Sequence, residues 1–346
     1  MKTVGWGFLS LVGGYCLVIL IACSAPSTSV PGPVQSLEKT LAVTLEVPDY
    51  AFLSLWDSSS SLYVVGGNLS SDGGRVGRLD DDGYVELEPP AGPLLWWVHG
   101  VDEQNIWMVG ERGRILKKHG DQWRDESIDD EKLVLWGAWA VSANDVWAVG
   151  GSVRRGGPKG VILRSNGDGQ WRRITAPALP TDLNLYKVWA ENERSVFFVG
   201  EGGVTLHYDG DRFKRIDVGV QDLLFTLDGY AMAQESHVLA VGGANEALVF
   251  RREPDGAWTP EAIPSGPGLN GVAVIDSQLA VAVGHRGQIL VRTDTDTWHR
   301  LRSPTIDRIG VRTLHAVRKY GRLYAVGGDL SVMEKGIIVE GRLDGE

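Results

Sequence analysis

Cysteine is almost missing from this chain of 346 residues, which contains only Cys16 and Cys23. Both lie near the start, and Cys16 falls in a stretch that we expect to be removed on export. No disulfide can then cross-link the rest of the chain, so its stability must come from a buried apolar core. About 300 residues remain to build that core, which is ample.

Recognisable catalytic and metal-binding motifs are missing too. The chain has no P-loop, G-x-S-x-G, H-E-x-x-H or cysteine-based centre, and its seven histidines are scattered. Gly266–Gly271 spells G-x-G-x-x-G, but a strand pattern follows it instead of a helix, so we interpret it as a link between repeats. Acidic residues outnumber basic ones, 44 to 34, and this balance argues against nucleic acid as the main partner. We expect no cofactor and no metal ion.

What the chain does contain is a repeat whose second strand ends in Val-Gly, as in VWAVG at Val146–Gly150. The repeated glycines are Gly66, Gly110, Gly150, Gly200, Gly242, Gly284 and Gly327. Their spacings of 44, 40, 50, 42, 42 and 43 residues each leave room for four short strands. Most repeats also contain an Asp/Gly turn followed by an aromatic, such as GDGQW ending at Trp171, which indicates a hairpin. The repeats predict an all-β fold, a seven-bladed β-propeller of four-stranded antiparallel blades.

The two ends of the chain are expected to meet in the last blade. The seventh repeat shows only three strand patterns, whereas Leu41–Val47 is a lone strand pattern before the first repeat. We therefore predict that residues 41–47 form the outer strand of the last blade and close the ring. Large side chains such as Trp107, Trp147 and Phe197 are expected to pack between blades.

The combination of VWAVG, G-x-I-L and DG-x-W resembles the repeats of bacterial propellers grouped near photosystem II assembly-factor-like, Asp-box (sialidase-like) and kelch-like propellers. The resemblance covers about residues 41–343. It implies the propeller fold and no single activity, because propellers carry many unrelated functions. The Asp-box is a structural motif in its own family, so the resemblance assigns no catalytic residue here.

Residues 1–22 have the pattern of a signal peptide, with a positive charge followed by a short apolar run. The sequence Leu20-Ile21-Ala22-Cys23 resembles the lipobox of bacterial lipoproteins, which implies diacylglycerol and acyl modification at Cys23. An ordinary signal peptide with an incidental cysteine is the alternative. Ser24 is not Asp, and in Gram-negative families of this type that implies the outer membrane. We therefore expect a cell-envelope protein that a lipid anchor holds on the membrane.

The remaining domain boundaries follow from composition. Residues 23–40 are rich in Ser, Pro and Thr, which predicts a disordered, solvated tether. Residues 41–346 are then the propeller, with no second domain and no signal for self-association. We expect it to be a monomer.

The candidate binding surface lies on the face that carries the loops between second and third strands. The longest of these is Gly150–Gly160 in the third blade, and the first and seventh blades have similar loops at Asn68–Val76 and Asp329–Gly336. Their cations are candidates for binding a phosphate, a uronic acid or a partner's carboxylates. The candidates are Arg154, Arg155 and Lys159 in the long loop, and Arg112, Arg114 and Arg286 in other blades. A mobile, solvated surface loop is the alternative interpretation.

These observations predict a non-enzymatic scaffold that binds an envelope protein or a glycan. The alternative is a polysaccharide hydrolase or lyase of the envelope, which would need clustered acids and arginines in the central channel. The innermost strands are mostly apolar, so we expect no such cluster there. His99 takes the place of Trp139 and Trp189 in neighbouring repeats, and we expect it to pack at the channel.

Overall fold

The computed structural model describes residues 30–343 except 59, 81 and 233–234. The signal peptide and Cys23 lie outside these residues. Helix α1 spans Gly32–Thr40 and strand β1 spans Ala42–Val47. Twenty-seven further strands follow in the described residues, and together with β1 they form seven four-stranded sheets. Six sheets are meanders of four consecutive strands, and the seventh combines β1 with the last three strands. The predicted seven-bladed propeller is therefore confirmed.

The first four blades follow one another along the chain. Blade 1 contains β2 (Ala51–Asp57), β3 (Leu62–Gly67), β4 (Gly74–Asp80) and β5 (Gly83–Leu87). Blade 2 contains β6 (Leu95–Asp102), β7 (Asn105–Gly110), β8 (Ile115–His119) and β9 (Gln122–Asp125). Blade 3 contains β10 (Val134–Ser142), β11 (Asp145–Gly151), β12 (Val161–Ser165) and β13 (Arg172–Arg173). Blade 4 contains β14 (Leu185–Asn192), β15 (Ser195–Gly200), β16 (Thr205–Tyr208) and β17 (Phe213–Ile216).

The last three blades complete the ring. Blade 5 contains β18 (Leu224–Met232), β19 (Glu235–Gly242), β20 (Leu248–Arg252) and β21 (Trp258–Pro260). Blade 6 contains β22 (Leu269–Val274), β23 (Ala280–Gly284), β24 (Ile289–Arg292) and β25 (Trp298–Arg300). Blade 7 contains β26 (Thr313–Tyr320), β27 (Arg322–Asp329) and β28 (Glu334–Gly341), and short helix α2 (Pro304–Ile309) precedes it.

Strand β1 closes the ring as the sequence predicted. It pairs antiparallel with β28, from Ala42 opposite Glu340 to Val47 opposite Gly336. This pairing gives blade 7 its fourth strand and covers an edge that would otherwise expose unpaired backbone groups. Trp107, Trp147 and Phe197 are fully buried, in agreement with the packing role expected for them.

The tether predicted over residues 23–40 is wrong for its second half, because residues 32–40 form α1. Val34 and Leu37 of this helix, and Leu41 after it, are buried in the core of blades 6 and 7. The helix is also bonded to the ring, since the Glu38 carboxylate accepts the Arg302 N–H at 3.1 Å. The three apolar residues are spaced by three and four positions, a helical signal that the prolines and serines around it obscured.

The Val-Gly repeat has a physical cause in the innermost strands. Each innermost strand contains a register shift opposite the glycine of its neighbour strand, as where Leu135 pairs with Gly150 and Gly137 pairs with Val149. Strands β6, β10 and β14 contain a second shift at their other end. The residue skipped opposite the glycine is a β-bulge, which bends the strand and redirects a side chain. A Cβ on any of the seven glycines would overlap a backbone carbonyl oxygen of the bulged strand. Glycine recurs there because only hydrogen fits.

Replacing Gly150 with Ala should lower the free energy of unfolding by about 1–3 kcal/mol, because an added Cβ overlaps the Val134 carbonyl oxygen and the strands must move apart. Urea denaturation measures the change. Gly32→Ala is the matched control, since no atom lies within 4 Å of a Cβ there. Equal urea midpoints for Gly150→Ala and the wild type would contradict the bulge explanation.

Candidate binding site at the channel mouth

The bulges present one residue per blade to one end of the central channel. These residues are Leu53, Trp96, Trp136, Tyr186, Phe225, Asn270 and His315. All except Leu53 line a cavity of about 440 Å³, which we call the channel mouth. Blades 2 to 5 supply four aromatic rings in succession. The wall of the mouth is therefore largely apolar and is built on strands rather than on loops.

The rim of the mouth comes from the loops between second and third strands, on the face predicted to carry the binding surface. Blade 1 contributes Asn68–Ser70, blade 2 contributes Glu111 and Arg112, blade 3 contributes Val153 and Arg154, and blade 7 contributes Leu330. Leu69 and Val153 are 68% and 74% exposed. Apolar side chains this exposed at the edge of an aromatic cavity mark a surface that another molecule can cover.

The aromatic wall is held in place by its own contacts. The Glu111 carboxylate accepts the Trp96 indole N–H at 3.0 Å, and the Glu201 carboxylate accepts the Tyr186 hydroxyl at 3.2 Å. Both glutamates directly follow a repeated glycine. Trp136 meets Tyr186 edge-on with ring centroids 5.3 Å apart, and Tyr186 stacks on Phe225 at 5.5 Å. The mouth is thus ordered before any ligand arrives.

A lysine lies at the floor of the mouth. Lys187 follows the bulged Tyr186 and is 4% exposed. Its Nζ donates to the Trp136 carbonyl oxygen at 2.8 Å and lies 4.3 Å from the centre of the Trp97 ring. Burial lowers the pKa of Lys187 to about 7. The amine therefore changes its charge near neutral pH.

His315 faces the same cavity as a neutral ring. Burial and the charge of Lys187 lower the pKa of His315 to about 3. Its Nδ1 lies within hydrogen-bond distance of the Leu53 carbonyl oxygen, which can only accept, so Nδ1 carries the proton. Nε2 is then left as an acceptor.

The opposite mouth of the channel is smaller, about 380 Å³, and polar. Arg318 pairs with Asp228 at 3.0 Å, and the same carboxylate oxygen accepts the Val274 N–H at 3.0 Å. Burial raises the pKa of the nearby Asp57 carboxyl. Our expectation that the channel has no clustered acids and arginine is therefore wrong at this end. The cause is that Asp57, Asp228 and Arg318 come from blades 1, 5 and 7 and meet only when the ring closes.

His99 packs at that opposite mouth, as expected. Its ring stacks on Trp139 at 3.9 Å, and its Nδ1 accepts the Ala140 N–H at 3.0 Å. Burial keeps the pKa of His99 well below its usual value. The ring is a neutral packing residue, and it belongs to an aromatic series that continues through Trp139 to Trp189.

Two of the six predicted cations line the channel mouth. Arg112 pairs with the Glu131 carboxylate at 3.4 Å, and Arg154 donates to the Glu131 carbonyl oxygen at 2.9 Å. Lys159 and Arg155 of the same long loop lie outside the mouth. The Lys159 amine is 4.0 Å from the Glu201 carboxylate, and Arg155 is exposed to solvent. Of the three predicted cations in the long loop, Arg154 is therefore the one that reaches the site.

Arg114 and Arg286, the last two of the six predicted cations, also lie away from the mouth. Arg114 is 4% exposed, and its guanidinium donates to the carbonyl oxygens of Pro90 and Pro93 in the link between blades 1 and 2. Burial lowers the pKa of Arg114 to about 10. Arg114 therefore stabilises this link, and it is not part of the candidate binding surface. Arg286 is exposed in the turn His285–Gly287 of blade 6 and does not line the cavity.

The bulged residues and Lys187 were not identified from the sequence. One signal could have found most of them. In four blades the bulged residue lies 14 positions before the repeated glycine, at 96 and 110, 136 and 150, 186 and 200, and 270 and 284. Among the residues with described positions, no group of three His, Cys, Asp or Glu side chains could hold a metal ion. Within residues 30–343, no described helix is long and apolar enough to cross a membrane.

Solved structures with a similar fold are β-propellers of low sequence identity. YCF48 from Cyanidioschyzon merolae aligns with a TM-score of 0.63 at 13% identity, over 88% of this chain and 98% of its own. The WD40 propeller of Doa1 aligns with a TM-score of 0.62 at 10% identity, over 86% and 96%. The WD40 repeats of RRP9 align with a TM-score of 0.64 at 9% identity, over 89% and 99%. No protein-family model matches the chain, and no curated protein does.

Proposed function

We propose that this chain is a lipid-anchored β-propeller of the bacterial cell envelope that binds a segment of another envelope protein at its channel mouth. The observation that carries the binding role is the mouth itself. Six bulged residues and four loops converge on a preformed cavity of about 440 Å³. Concave, mostly apolar cavities of this size with a few polar groups are the usual form of binding sites.

A protein segment fits the mouth better than a glycan does. The rim offers the exposed aliphatic side chains of Leu69 and Val153, which can bury apolar side chains of a polypeptide. Sugar rings need open aromatic faces, whereas the faces of Tyr186 and Phe225 are stacked on each other. The order of the wall lowers the entropy cost of binding.

A hydrolase or lyase has no comparable support. Most glycoside hydrolases need two carboxyl groups that can act on the substrate. At the opposite mouth Asp57 offers one, with a raised pKa, but the second, Asp228, is engaged by Arg318 and by the Val274 N–H. At the channel mouth the Glu111 and Glu201 carboxylates hold aromatic rings in place.

The test is chemical cross-linking in intact cells followed by purification of the propeller. The double variant Leu69→Ser with Val153→Ser should capture at least about tenfold less of the partner, because each exposed apolar contact contributes roughly 1 kcal/mol or more. Val311→Ser is the matched control, since Val311 is 80% exposed but does not line the mouth. Equal capture by the double variant and the control would refute the mouth as the binding site. Capture of a glycan in place of a protein would refute the protein partner.

Anchoring is tested in the same cells. Cys23→Ser should remove the chain from the outer-membrane fraction, because the proposed lipid can no longer be attached. The uncleaved apolar segment of this variant can still hold it on the inner membrane, so the two membranes are separated before detection. Cys16→Ser is the control and should leave the chain on the outer membrane. Retention of the Cys23→Ser chain on the outer membrane would refute the lipid anchor.

A further inference from the structure

Lys187 is a buried cation whose charge is not balanced. An ammonium group has three N–H donors, and the one protein acceptor recorded for Nζ is the Trp136 carbonyl oxygen. Among the ion pairs of the described residues, none includes Lys187. Burial alone accounts for its lowered pKa, with no compensating carboxylate. A buried charge of this kind costs free energy unless a partner neutralises it.

The other charged groups of the mouth do not fill that role. Glu111, from the loop after β7, is bonded to Trp96, and Glu201, after β15, is bonded to Tyr186 and Asn184. The remaining ionisable groups that line the mouth are Arg112, Arg154, Tyr186 and His315. Two of these are cations. Arg112 is already paired with Glu131, so Lys187 at the floor and Arg154 at the rim are the cations that a ligand can neutralise.

A second group in the mouth also lacks a partner. Asn270, the bulged residue of blade 6, is 5% exposed, and its buried Oδ1 has no hydrogen-bond partner among the described residues. Buried polar atoms are rarely left unpaired, and each unpaired one calls for an explanation. A ligand N–H in the mouth would supply the missing bond once the Asn270 amide turns toward the cavity that the residue lines.

We propose that the channel mouth recognises a carboxylate attached to an apolar group, with Lys187 binding the carboxylate and Asn270 Oδ1 accepting a neighbouring ligand N–H. The aromatic wall of Trp96, Trp136 and Phe225 surrounds the apolar group. This inference rests on the proposed binding function and specifies its chemistry. An N-acylated amino acid has the required combination, and it occurs both as the carboxyl end of a polypeptide and as a small free acid.

The experiment compares acids with their amides by calorimetry on the whole propeller. The probes are N-acetyl-tryptophan and its amide, and an N-acetylated hexapeptide ending in tryptophan, as free acid and as amide. At pH 6 each acid should bind at least about tenfold more tightly than its amide, because only the acid neutralises Lys187. The preference should vanish in Lys187→Met and persist in Arg155→Ala, an exposed cation outside the mouth.

The pH dependence separates Lys187 from the rim arginines. A bound carboxylate stabilises the charged amine, so binding takes up a proton above pH 7. The affinity of the acid should then fall between pH 6 and 9 by about the factor by which the acid is preferred over the amide at pH 6, a change that an arginine cannot produce. His315 stays neutral over this range. The amide should show no such slope.

The outcomes distinguish the two proposals. Equal binding of acid and amide overturns the carboxylate inference and leaves the proposed function standing. Absence of binding by all four probes also overturns the inference, and the cell cross-linking result then decides the proposed function by itself. A hexapeptide acid that binds more tightly than N-acetyl-tryptophan identifies a polypeptide end as the source. The reverse order identifies a small acid.

Discussion

A chain that begins at Pro48 is expected to unfold at a markedly lower temperature than one that begins at Val30. It lacks α1 and β1, so the Val34, Leu37 and Leu41 side chains no longer fill the core of blades 6 and 7. Each such side chain contributes roughly 1.5–3 kcal/mol when buried, so the free energy of unfolding should fall by on the order of 5 kcal/mol. Differential scanning calorimetry of the two chains measures the change, which corresponds to about 10 °C or more.

The shortened chain also loses the backbone pairing between β1 and β28. Without β1, the β28 edge from Gly336 to Glu340 has no partner strand. Exposed strand edges pair with other chains, so the shortened protein should also aggregate on heating. A synthetic peptide of residues 31–48 added in excess should bind the open edge and restore most of the lost stability.

Two variants separate packing from charge. Leu37→Ala should lower the free energy of unfolding by about 2–5 kcal/mol, because it removes a fully buried side chain. Glu46→Ala should change it by less than about 1 kcal/mol, since the Glu46 carboxylate, which pairs with Arg308 and Arg312, is about half exposed to solvent. If the shortened chain melts at the temperature of the longer one, the closing role of β1 is wrong.

Replacing Lys187 with methionine is expected to stabilise the propeller at pH 6 and to lose that advantage by pH 10. The folded-state pKa of Lys187, about 7, lies below its unfolded value of about 10.4. Between these values the folded chain binds fewer protons than the unfolded chain, so wild-type stability rises with pH across this window. Well below pH 7 the penalty is complete, about 5 kcal/mol.

The net gain is smaller than the penalty. Methionine fills a similar volume but loses the bond to the Trp136 carbonyl oxygen and the contact with the Trp97 ring, about 1–2 kcal/mol together. Lys187→Met should therefore be about 3–4 kcal/mol more stable than the wild type at pH 6. At pH 10 it should be slightly less stable. Urea denaturation at pH 6, 8 and 10 gives the difference.

Lys132→Met serves as the control, because Lys132 is exposed and its replacement should change stability little at any pH. Removal of the Lys187 charge raises the pKa of His315, but burial, the larger cause of its lowered pKa, remains. His99 and His315 therefore stay neutral in the folded state from pH 6 to 10, and their contributions cancel in the comparison. If the difference in free energy of unfolding between Lys187→Met and the wild type does not vary with pH, the buried charge of Lys187 is not its cause. A stabilising replacement is what one expects at a position retained for binding rather than for folding.

Much of the fold could be predicted because its signal is local and repeated. The Val-Gly glycines mark each second strand, and the structure explains them by the bulge that each one faces. The lone strand pattern near residue 42 could be assigned to the last blade, because that repeat lacked a fourth strand. Helix α1 was missed because proline and serine dominate its surroundings and only three apolar residues indicate its buried face.

The site was harder to predict because its residues lie far apart along the chain. Arg154 could be found, since a long loop on a rigid scaffold is visible as an insertion. Lys187 could not, because in the strand LYKVWA an alternating lysine normally faces water. It is buried here only because closure of the ring brings Trp97 and Trp136, from two other blades, against its side chain.

The position of α1 and β1 also has a mechanical consequence. If Cys23 carries the proposed lipid, nine chain steps separate it from Gly32, a reach of at most about 30 Å. A force that pulls the propeller away from the membrane would then act on the ring through α1. Val34 and Leu37 must leave the core before force reaches Ala42, where β1 would peel from β28 one residue pair at a time. With a lipid at Cys23, the buried helix would have to detach before tension on the tether could separate β1 from β28.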